Sequence, residues 1–281
     1  MTKIAIITDS TAVVEPEIIS KYSFLKILPL QIIFRDKVFH DGDISQRDFF
    51  NLVDQAEELP TTSQPSIGKV NELMENLLLD YDEIIYITLS SKISGTFQTG
   101  FITANEVSAD KIKVVDTLMT STVQKRMVCK ACDMVEKGKT VAQILECMED
   151  MKKDHHAYLI VDDLNHLQRT GRVSGVAASL GTMLKIKPIL RFDSGEIILD
   201  EKVRTMKKAM SYVMQVIEEK ELKSNTHISL CHAKGEDYVL QMQELINQKY
   251  PEFETSISEM SPVISVHTGP KSIAIAWVNG Y

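Results

Sequence analysis

Four short segments of the chain concentrate hydroxyl, glycine and basic residues just past the ends of apolar runs. They span residues 8–11, 60–66, 90–96 and 266–270. Open α/β sheets bind their ligands beyond the carboxyl ends of the strands. Hydroxyl groups in such loops, together with the free amides at the start of a following helix, can bind an anion. With the late histidine His267, the set predicts an oxyanion site.

Each segment also has a purely structural interpretation. Ser66, and Ser94 or Thr96, can cap the helices that follow them, and the remaining hydroxyl residues can form turns. For any single segment, this capping interpretation is the stronger one. Four such segments in one chain favour the oxyanion site.

Apolar strands alternating with helices must position these residues. The predicted strands span residues 4–7, 25–34, 83–88, 114–116, 158–161, 186–192, 197–203, 228–231, 254–257 and 272–278. The predicted helices span residues 15–22, 46–57, 67–79, 122–137, 162–169, 206–219 and 237–248, and two more begin at Phe97 and Thr140. Repeated βα units indicate an α/β fold with helices on both faces of a sheet.

We predict two α/β domains. Residues 1–153 form an N-terminal domain with a parallel sheet, and residues 154–281 form a C-terminal domain with a mixed sheet. The turn Asp193-Ser194-Gly195 makes a hairpin of the two strands around it. Residues 152–156 are polar, and we interpret them as a hinge between the domains.

Composition excludes several classes of protein. The 281 residues are 44% hydrophobic, which rules out global disorder, and the net charge of −8 argues against a nucleic-acid-binding protein. No apolar run approaches the ~18 residues of a membrane-spanning helix. The apolar start is too short for a secretory signal. The four cysteines are consistent with the cytoplasm, where we expect the protein.

Motifs for other chemistries are absent or incomplete. No dinucleotide fingerprint, nucleophile elbow or zinc-protease motif occurs, and Gly138-Lys139-Thr140 imitates a P-loop only at its end. Cys129 and Cys132 are separated by two residues within a predicted helix, where packing is the simpler role. The adjacent His155 and His156 are interpreted as solvated. We expect no metal and no cofactor of the protein's own.

Six motifs occur in one order along the chain. They are Thr8-Asp9-Ser10, P-T-T-S-Q-P-S at residues 60–66, S-x-x-S-G-T at 91–96, Val115-Asp116-Thr117, L-x-x-L-x-x-x-G-R at 164–172 and H-T-G-P at 267–270. In these motifs, and over essentially the whole chain, the sequence resembles the DegV family of bacterial fatty-acid-binding proteins.

The resemblance implies that one long-chain fatty acid, of the palmitate, stearate or oleate type, lies in a tunnel between two α/β domains. Some family members are the acyl-binding subunit of a bacterial fatty acid kinase. They present the carboxylate to an ATP-binding catalytic subunit, which makes acyl phosphate for phospholipid synthesis. By this resemblance Thr62, Ser94 and His267 bind the carboxylate, and Arg204 and Arg172 serve phosphotransfer or partner contact. Secondary site candidates are Ser63, Gly95, Thr96 and Thr268.

Two other functions remain as alternatives. An acyl hydrolase or acyltransferase would use Ser94 as nucleophile and His267 as base. A fatty-acid sensor would bind the same ligand without a kinase partner.

Two features add to the hypothesis. Lys271 stands where the family usually has glycine after H-T-G-P, so it either strains a left-handed position or adds a cation beside the carboxylate. Between residues 165 and 210 the chain is basic, with an excess of five positive charges. The nine basic residues are Arg169, Arg172, Lys185, Lys187, Arg191, Lys202, Arg204, Lys207 and Lys208. Such a surface suits an ATP-bearing partner or transient contact with an anionic membrane.

Overall fold

The computed structural model describes residues 2–162, 164–173 and 186–281, which form three β-sheets and the helices packed on them. The strands are β1 (Ile4–Asp9), β2 (Leu25–Leu28), β3 (Gln31–Phe34), β4 (Lys37–His40), β5 (Thr61–Ser63), β6 (Glu83–Thr88), β7 (Ile112–Asp116), β8 (His155–Ile160), β9 (Lys187–Asp193), β10 (Glu196–Val203), β11 (His227–Ala233), β12 (Glu254–Glu259) and β13 (Ser272–Val278). The helices are α1 (Pro16–Lys21), α2 (Gln46–Gln55), α3 (Ile67–Leu77), α4 (Thr96–Ser108), α5 (Ser121–Glu136), α6 (Val141–Lys153), α7 (Asn165–Arg169), α8 (Met206–Glu219), α9 (Glu236–Lys249) and α10 (Pro262–Thr268).

A four-stranded parallel sheet, in the order β2-β1-β6-β7, forms the centre of the N-terminal half. Strand β1 is buried along its whole length, which explains its uninterrupted apolar run. Its alternate residues enter different cores: Ile4 and Ile6 pack with α5 and α6, whereas Ala5 and Ile7 pack with α3 and α4. Helices therefore cover both faces, as predicted.

A six-stranded mixed sheet, in the order β10-β9-β8-β13-β11-β12, forms the C-terminal half. Strands β9 and β10 form the predicted hairpin, and its two turn residues, Ser194 and Gly195, both have positive φ. One face of the sheet packs on α8 and α9. Its other face meets the N-terminal half, including Leu30 and Phe49. These two sheets confirm the two-domain α/β fold, while the boundary at residues 153 and 154 stays a prediction.

The predicted strand 25–34 is wrong as a single element, because it divides between two sheets. Strand β2 joins the parallel sheet, and β3 joins a small antiparallel sheet in the order β4-β3-β5. The break falls at Pro29, which has no N–H to donate to a sheet. The next amide, that of Leu30, donates to Ser10 Oγ at 3.1 Å. Strand β5 lies within the segment 60–66, which we expected to be a loop.

Two further expectations need correction. Residues 152–156 do not form a separate linker, because α6 continues to Lys153 and β8 begins at His155. The hinge between the domains stays a prediction. Strand β8 pairs with β13 along this stretch, and burial lowers the pKa of His155 to about 4. The segment 266–270 is not a loop throughout, because α10 extends to Thr268. The sequence Ser261-Pro262 begins that helix with a side-chain cap and a proline in its first turn.

Candidate functional site

A narrow cavity lies between the carboxyl edge of the parallel sheet and the face of the mixed sheet opposite α8 and α9. Its walls include Thr11 and Leu89, which follow β1 and β6, and Leu159 and Ala274 from β8 and β13. The space between the lining atoms is about 930 Å³, the mouth included, but only about 100 Å³ of it admits the centre of a water molecule. Such a space fits a long, slender ligand better than a bulky one.

One end of the cavity is polar and the long wall is largely apolar. The polar end carries Thr62, Ser63, Gln64, Ser94, Arg172, His267 and Thr268. Strand β13 begins beside this end and runs away from it, bringing Ala274 and then Ala276 into the wall. The four steps from Ser272 to Ala276 span roughly 13 Å of strand. The cavity therefore leads from a polar mouth into an apolar interior.

Thr62 and His267 meet at the polar mouth. Strand β5 pairs antiparallel with β3, with Thr62 opposite Ile32, which fixes the position of the threonine. The last turn of α10 carries His267, whose Nε2 lies 2.8 Å from Thr62 Oγ1. Asp41 Oδ1 accepts the amide N–H of Val263 at 3.3 Å and so holds the first turn of the same helix.

His267 is neutral at physiological pH. Burial, and then the charges of Arg172 and His166, lower the pKa of His267 to about 3. Its Nδ1 is buried without a hydrogen-bond partner among the described residues. An unpaired acceptor is tolerated better than an unpaired N–H. The arrangement therefore favours the tautomer in which Nε2 carries the proton and donates to Thr62.

The Ser94 loop forms the facing side of the mouth. Ser94 Oγ lies 2.9 Å from Thr96 Oγ1 and accepts the amide N–H of Thr96 at 3.3 Å. Gly95 has no Cβ and therefore allows Gln64 to pack close to it. A Cβ at this position would lie 2.9 Å from the side-chain Nε2 of Gln64, which is too close. Of the three predicted residues of this loop, Ser94 lines the cavity, and Thr96 is buried at the start of α4. Ser66 instead caps α3, which confirms the capping interpretation for this residue.

The other secondary candidates line the cavity but already have partners. Ser63 Oγ donates to Gln31 Oε1 at 3.0 Å, and Thr268 Oγ1 lies 3.7 Å from Met260 Sδ. These contacts hold the two hydroxyl groups in place at the mouth.

The two predicted arginines lie in different surroundings. Arg172 lines the cavity and an adjoining open pocket that also includes Thr62 and His267. Its Nε donates to the carbonyl of Ile93 at 3.3 Å. Arg204 is exposed just after β10 and does not line the cavity.

The structure resolves the two alternatives for Lys271. This lysine is exposed, has φ of +61° and does not line the cavity. The position thus requires the left-handed conformation that glycine adopts at least cost.

Part of the basic excess between residues 165 and 210 is neutralised. Lys187 pairs with Asp162, and Arg191 pairs with Asp193 and Asp200. Lys185 lies outside the described residues. Four exposed cations without an ion pair among the described residues remain at the end of β10 and the start of α8, and we call them the basic cluster: Lys202, Arg204, Lys207 and Lys208.

Sequence reasoning missed several lining and supporting residues. Gln64 lies within the P-T-T-S-Q-P-S motif but was not singled out, and Asp41 gives no local signal because its contact with Val263 spans 222 positions. Thr120, Ser121 and Thr122 also line the cavity. They follow the Val115-Asp116-Thr117 motif, and their hydroxyl side chains were the available signal.

Two absences concern the described part of the chain. None of its helices is both long and apolar enough to cross a membrane. Nor do residues 2–162, 164–173 and 186–281 contain a group of three or more histidine, cysteine, aspartate or glutamate side chains placed to hold a metal ion.

Comparison with known proteins gives full-length matches. The sequence profile of an uncharacterised protein family, the DegV family, matches residues 3–280. Protein DegV of Bacillus subtilis (strain 168) is 36% identical over 277 residues, which cover 98% of each chain. The crystal structure of that species' DegV, described as a fatty acid binding protein, has a TM-score of 0.88 and 36% identity, covering 99% of this chain and 100% of its own. A DegV family protein from Thermus thermophilus, described by its fatty acid binding, has a TM-score of 0.92 at 28% identity, with 99% of each chain covered.

Proposed function

This chain belongs to the DegV family, and we propose that it binds a long-chain fatty acid, with the acyl tail in the cavity and the carboxylate at the polar mouth. The observation that carries this proposal is the cavity itself, a narrow and largely apolar space that begins at Thr62, Ser94 and His267. The description of the Bacillus subtilis relative as a fatty acid binding protein supports it.

The acyl tail supplies most of the binding free energy in this proposal. Each CH₂ group transferred from water into the apolar interior contributes about 0.8 kcal/mol. A buried carboxylate must keep its hydrogen bonds and a nearby counter-charge, because an unpaired buried charge is very costly. A mouth lined by hydroxyl groups and one guanidinium group meets both needs.

The neutral state of His267 determines how Thr62 acts. When Nε2–H donates to Thr62 Oγ1, the hydroxyl proton of Thr62 is free to donate to a carboxylate oxygen. Ser94 provides a second hydroxyl group from the facing loop. Arg172 supplies the positive charge from the wall of the same mouth. His267 is thus a positioning residue in this scheme, and the two hydroxyl groups are the direct donors.

We further propose that the bound acid is the substrate of a separate, ATP-using fatty acid kinase subunit. In that reaction one carboxylate oxygen attacks the γ-phosphorus of ATP, the bond to the β-phosphate oxygen breaks, and acyl phosphate and ADP are formed. The pocket that adjoins the mouth, with Arg169, Arg172 and His267 in its lining, leaves a route for the phosphoryl group. The basic cluster suits an ATP-bearing partner, or brief contact with an anionic membrane during acyl exchange.

The hydrolase alternative receives no support from the contacts of its two key residues. A serine nucleophile needs a histidine base within hydrogen-bond reach and an acid that orients that histidine. The hydroxyl bonded to His267 is that of Thr62, and Ser94 contacts Thr96. The other ring nitrogen of His267 has no partner in the described part of the chain. Turnover of acyl esters that disappears in Ser94→Ala would nevertheless establish this alternative.

Ligand binding is tested with protein stripped of lipid and titrated with oleate and, as a matched ligand, methyl oleate. We expect oleate to bind clearly more tightly, because the ester has the same tail but no anionic carboxylate. The proposal fails if oleate does not bind.

The kinase role is tested separately with oleate-loaded protein, ATP and a bacterial fatty acid kinase catalytic subunit. We expect acyl phosphate to form, and Arg204→Ala to slow its formation without loss of bound oleate. Arg47→Ala, at another exposed arginine, is the control and should leave the rate unchanged. If no acyl phosphate forms with a kinase that is active on its own partner, the sensor function replaces the kinase role.

A further inference from the structure

A second polar group of side chains lies in the cavity wall, away from the mouth. It consists of Thr120, Ser121 and Thr122 at the start of α5, and we call it the inner polar site. Ser121 Oγ lies 3.7 Å from Cys231 Sγ, and Cys231 pairs with Ala274 in the mixed sheet. The inner polar site therefore faces the apolar stretch of the cavity, where an acyl tail would pass.

The three hydroxyl groups differ in their partners. Thr120 Oγ1 donates to Thr11 Oγ1 at 3.0 Å, and among the described residues Ser121 Oγ has only the weak sulfur contact. Thr122 is 2% exposed, and its Oγ1 is buried without a hydrogen-bond partner among the described residues. A buried hydroxyl group without a partner is costly and uncommon.

The backbone at the same place also has unused donors. No side chain of the described residues caps α5, and Ser121 has a positive φ of 55° at its first position. The first amide N–H groups of a helix have no acceptor inside the helix. The wall therefore combines an unpaired hydroxyl group with uncapped amides, and both can pair with an oxygen atom of a ligand.

We propose that the inner polar site binds a hydroxyl group carried by the acyl chain, so that long-chain hydroxy fatty acids are a ligand class of this protein. The inference rests on the proposed fatty-acid function. Arg172 is the only lysine or arginine among the described lining residues, and it lies at the mouth. A neutral hydroxyl group therefore fits the inner site better than a second carboxylate, which would lack a counter-ion.

The chemistry of a hydroxyl group explains why such a site matters. In a purely apolar tunnel, the hydroxyl group of a ligand loses its bonds to water and gains nothing in return. At the inner polar site it can accept from an amide at the start of α5 and donate to Thr122 Oγ1. Threonine in a helix occupies two χ1 rotamers, and rotation between them changes the direction of Oγ1. Because Thr122 lines the cavity, such a rotation can bring its Oγ1 toward the ligand without a backbone change.

The test compares oleate with ricinoleate, which has the same chain length and double bond and one added mid-chain hydroxyl group. Dissociation constants are measured for both acids on the native protein, on Thr122→Val and on Thr103→Val. Thr103 is a control because it is buried in α4, donates to the Thr99 carbonyl at 2.9 Å and does not line the cavity. Valine keeps the branched shape of threonine and removes only the hydroxyl group.

We expect the native protein to bind ricinoleate about as tightly as oleate. In Thr122→Val the ratio of the ricinoleate constant to the oleate constant should rise by roughly three- to tenfold, since one hydrogen bond is lost. Thr103→Val should keep the native ratio. An unchanged ratio in Thr122→Val overturns the inference. The inference is also overturned if the native protein binds ricinoleate more than tenfold more weakly than oleate. That measurement does not depend on whether a variant folds. Absence of oleate binding would instead refute the proposed function, and the inference with it.

Discussion

Thr62 Oγ1 and His267 Nε2 lie 2.8 Å apart, although 205 positions separate the two residues in the sequence. The contact joins the short strand β5 to the last turn of α10, and it stands at the mouth of the cavity. A neutral histidine held in this way orients the hydroxyl group of Thr62 without adding a charge. The same contact links the two halves of the protein at the mouth, where the carboxylate is proposed to bind.

Removal of the two proposed donors should weaken fatty-acid retention. In Thr62→Ala combined with Ser94→Ala, a carboxylate at the mouth loses two hydrogen bonds to a charged group, each worth about 1.5–3 kcal/mol. We expect oleate affinity to fall at least tenfold, as measured by titration of lipid-free protein, while the protein remains folded.

Ser66→Ala is the matched control for that double variant. Ser66 lies four residues after Thr62 but caps α3 and does not line the cavity. Its loss should lower the free energy of unfolding by about 1 kcal/mol and leave oleate affinity unchanged. If the double variant shows the same pattern, its hydroxyl groups have structural roles and the proposed carboxylate site is wrong.

The buried His267 should make the lipid-free protein sensitive to mild acid. Its pKa in the folded protein, about 3, lies below the ordinary 6.5, so the unfolded chain takes up a proton first as pH falls. Stability from this residue is therefore complete above pH ~6.5 and is lost as pH falls toward 3. At pH ~5 the loss is on the order of 2 kcal/mol.

The measurement is the free energy of unfolding of native protein and of His267→Asn at neutral pH and at the lower pH. Asparagine does not titrate, so the stability advantage of the native protein over the variant should shrink by the stated amount. An advantage that is equal at both pH values contradicts a depressed pKa at His267.

The interior of the cavity should determine which acyl chains fit. Ala157 and Ala276 are paired on β8 and β13, and both line the wall away from the mouth. A larger side chain in Ala157→Leu would occupy space that the end of a long tail needs, and each excluded CH₂ loses about 0.8 kcal/mol. We expect mass spectrometry of the retained lipid to show shorter chains than in the native protein. Retention of the native chain lengths would place the tail elsewhere.

Glycine at position 271 should stabilise the protein. A left-handed conformation costs a residue with a Cβ about 1–2 kcal/mol, and the greater backbone freedom of unfolded glycine offsets roughly 0.5–1 kcal/mol of the gain. Lys271→Gly should therefore raise the free energy of unfolding by roughly 0.5–1 kcal/mol in chemical denaturation. Because the lysine does not line the cavity, oleate affinity should not change. A drop in affinity would mean that Lys271 acts as a cation near the carboxylate.

The elements of the main sheets could be predicted because their signals are local. Strand β6 occupies residues 83–88 and α8 residues 206–219, as predicted, since each is a continuous run with clear ends. The helix predicted from Thr140 also forms, and Thr140 and Gln143 make a capping box at its start. Pro29 lies within the run 25–34, but the run alone does not show that its two parts belong to different sheets. That division depends on the pairing of β3 with β4 and β5, which is tertiary information.

The site could be predicted only in part from sequence, because some of its contacts also depend on tertiary structure. The hydroxyl-rich loops and His267 carry a recognisable pattern, and the structure brings Thr62 and Ser94 to one mouth with it. The pattern does not show that His267 pairs with Thr62, because the two residues lie 205 positions apart. They also belong to short elements, of seven and three residues. Nor could it show that Thr122 is buried with no hydrogen-bond partner in the described part of the chain, which depends on the packing of α5 against the mixed sheet.

The central claim is that this cavity holds a fatty acid, and the most direct test is to look for one. Purified protein is denatured, extracted into organic solvent and analysed by mass spectrometry, with the Thr62→Ala, Ser94→Ala variant purified in parallel. We expect the native protein to yield a long-chain fatty acid and the variant to yield much less. If the native protein yields none, and added oleate or palmitate does not bind to it, the claim is wrong.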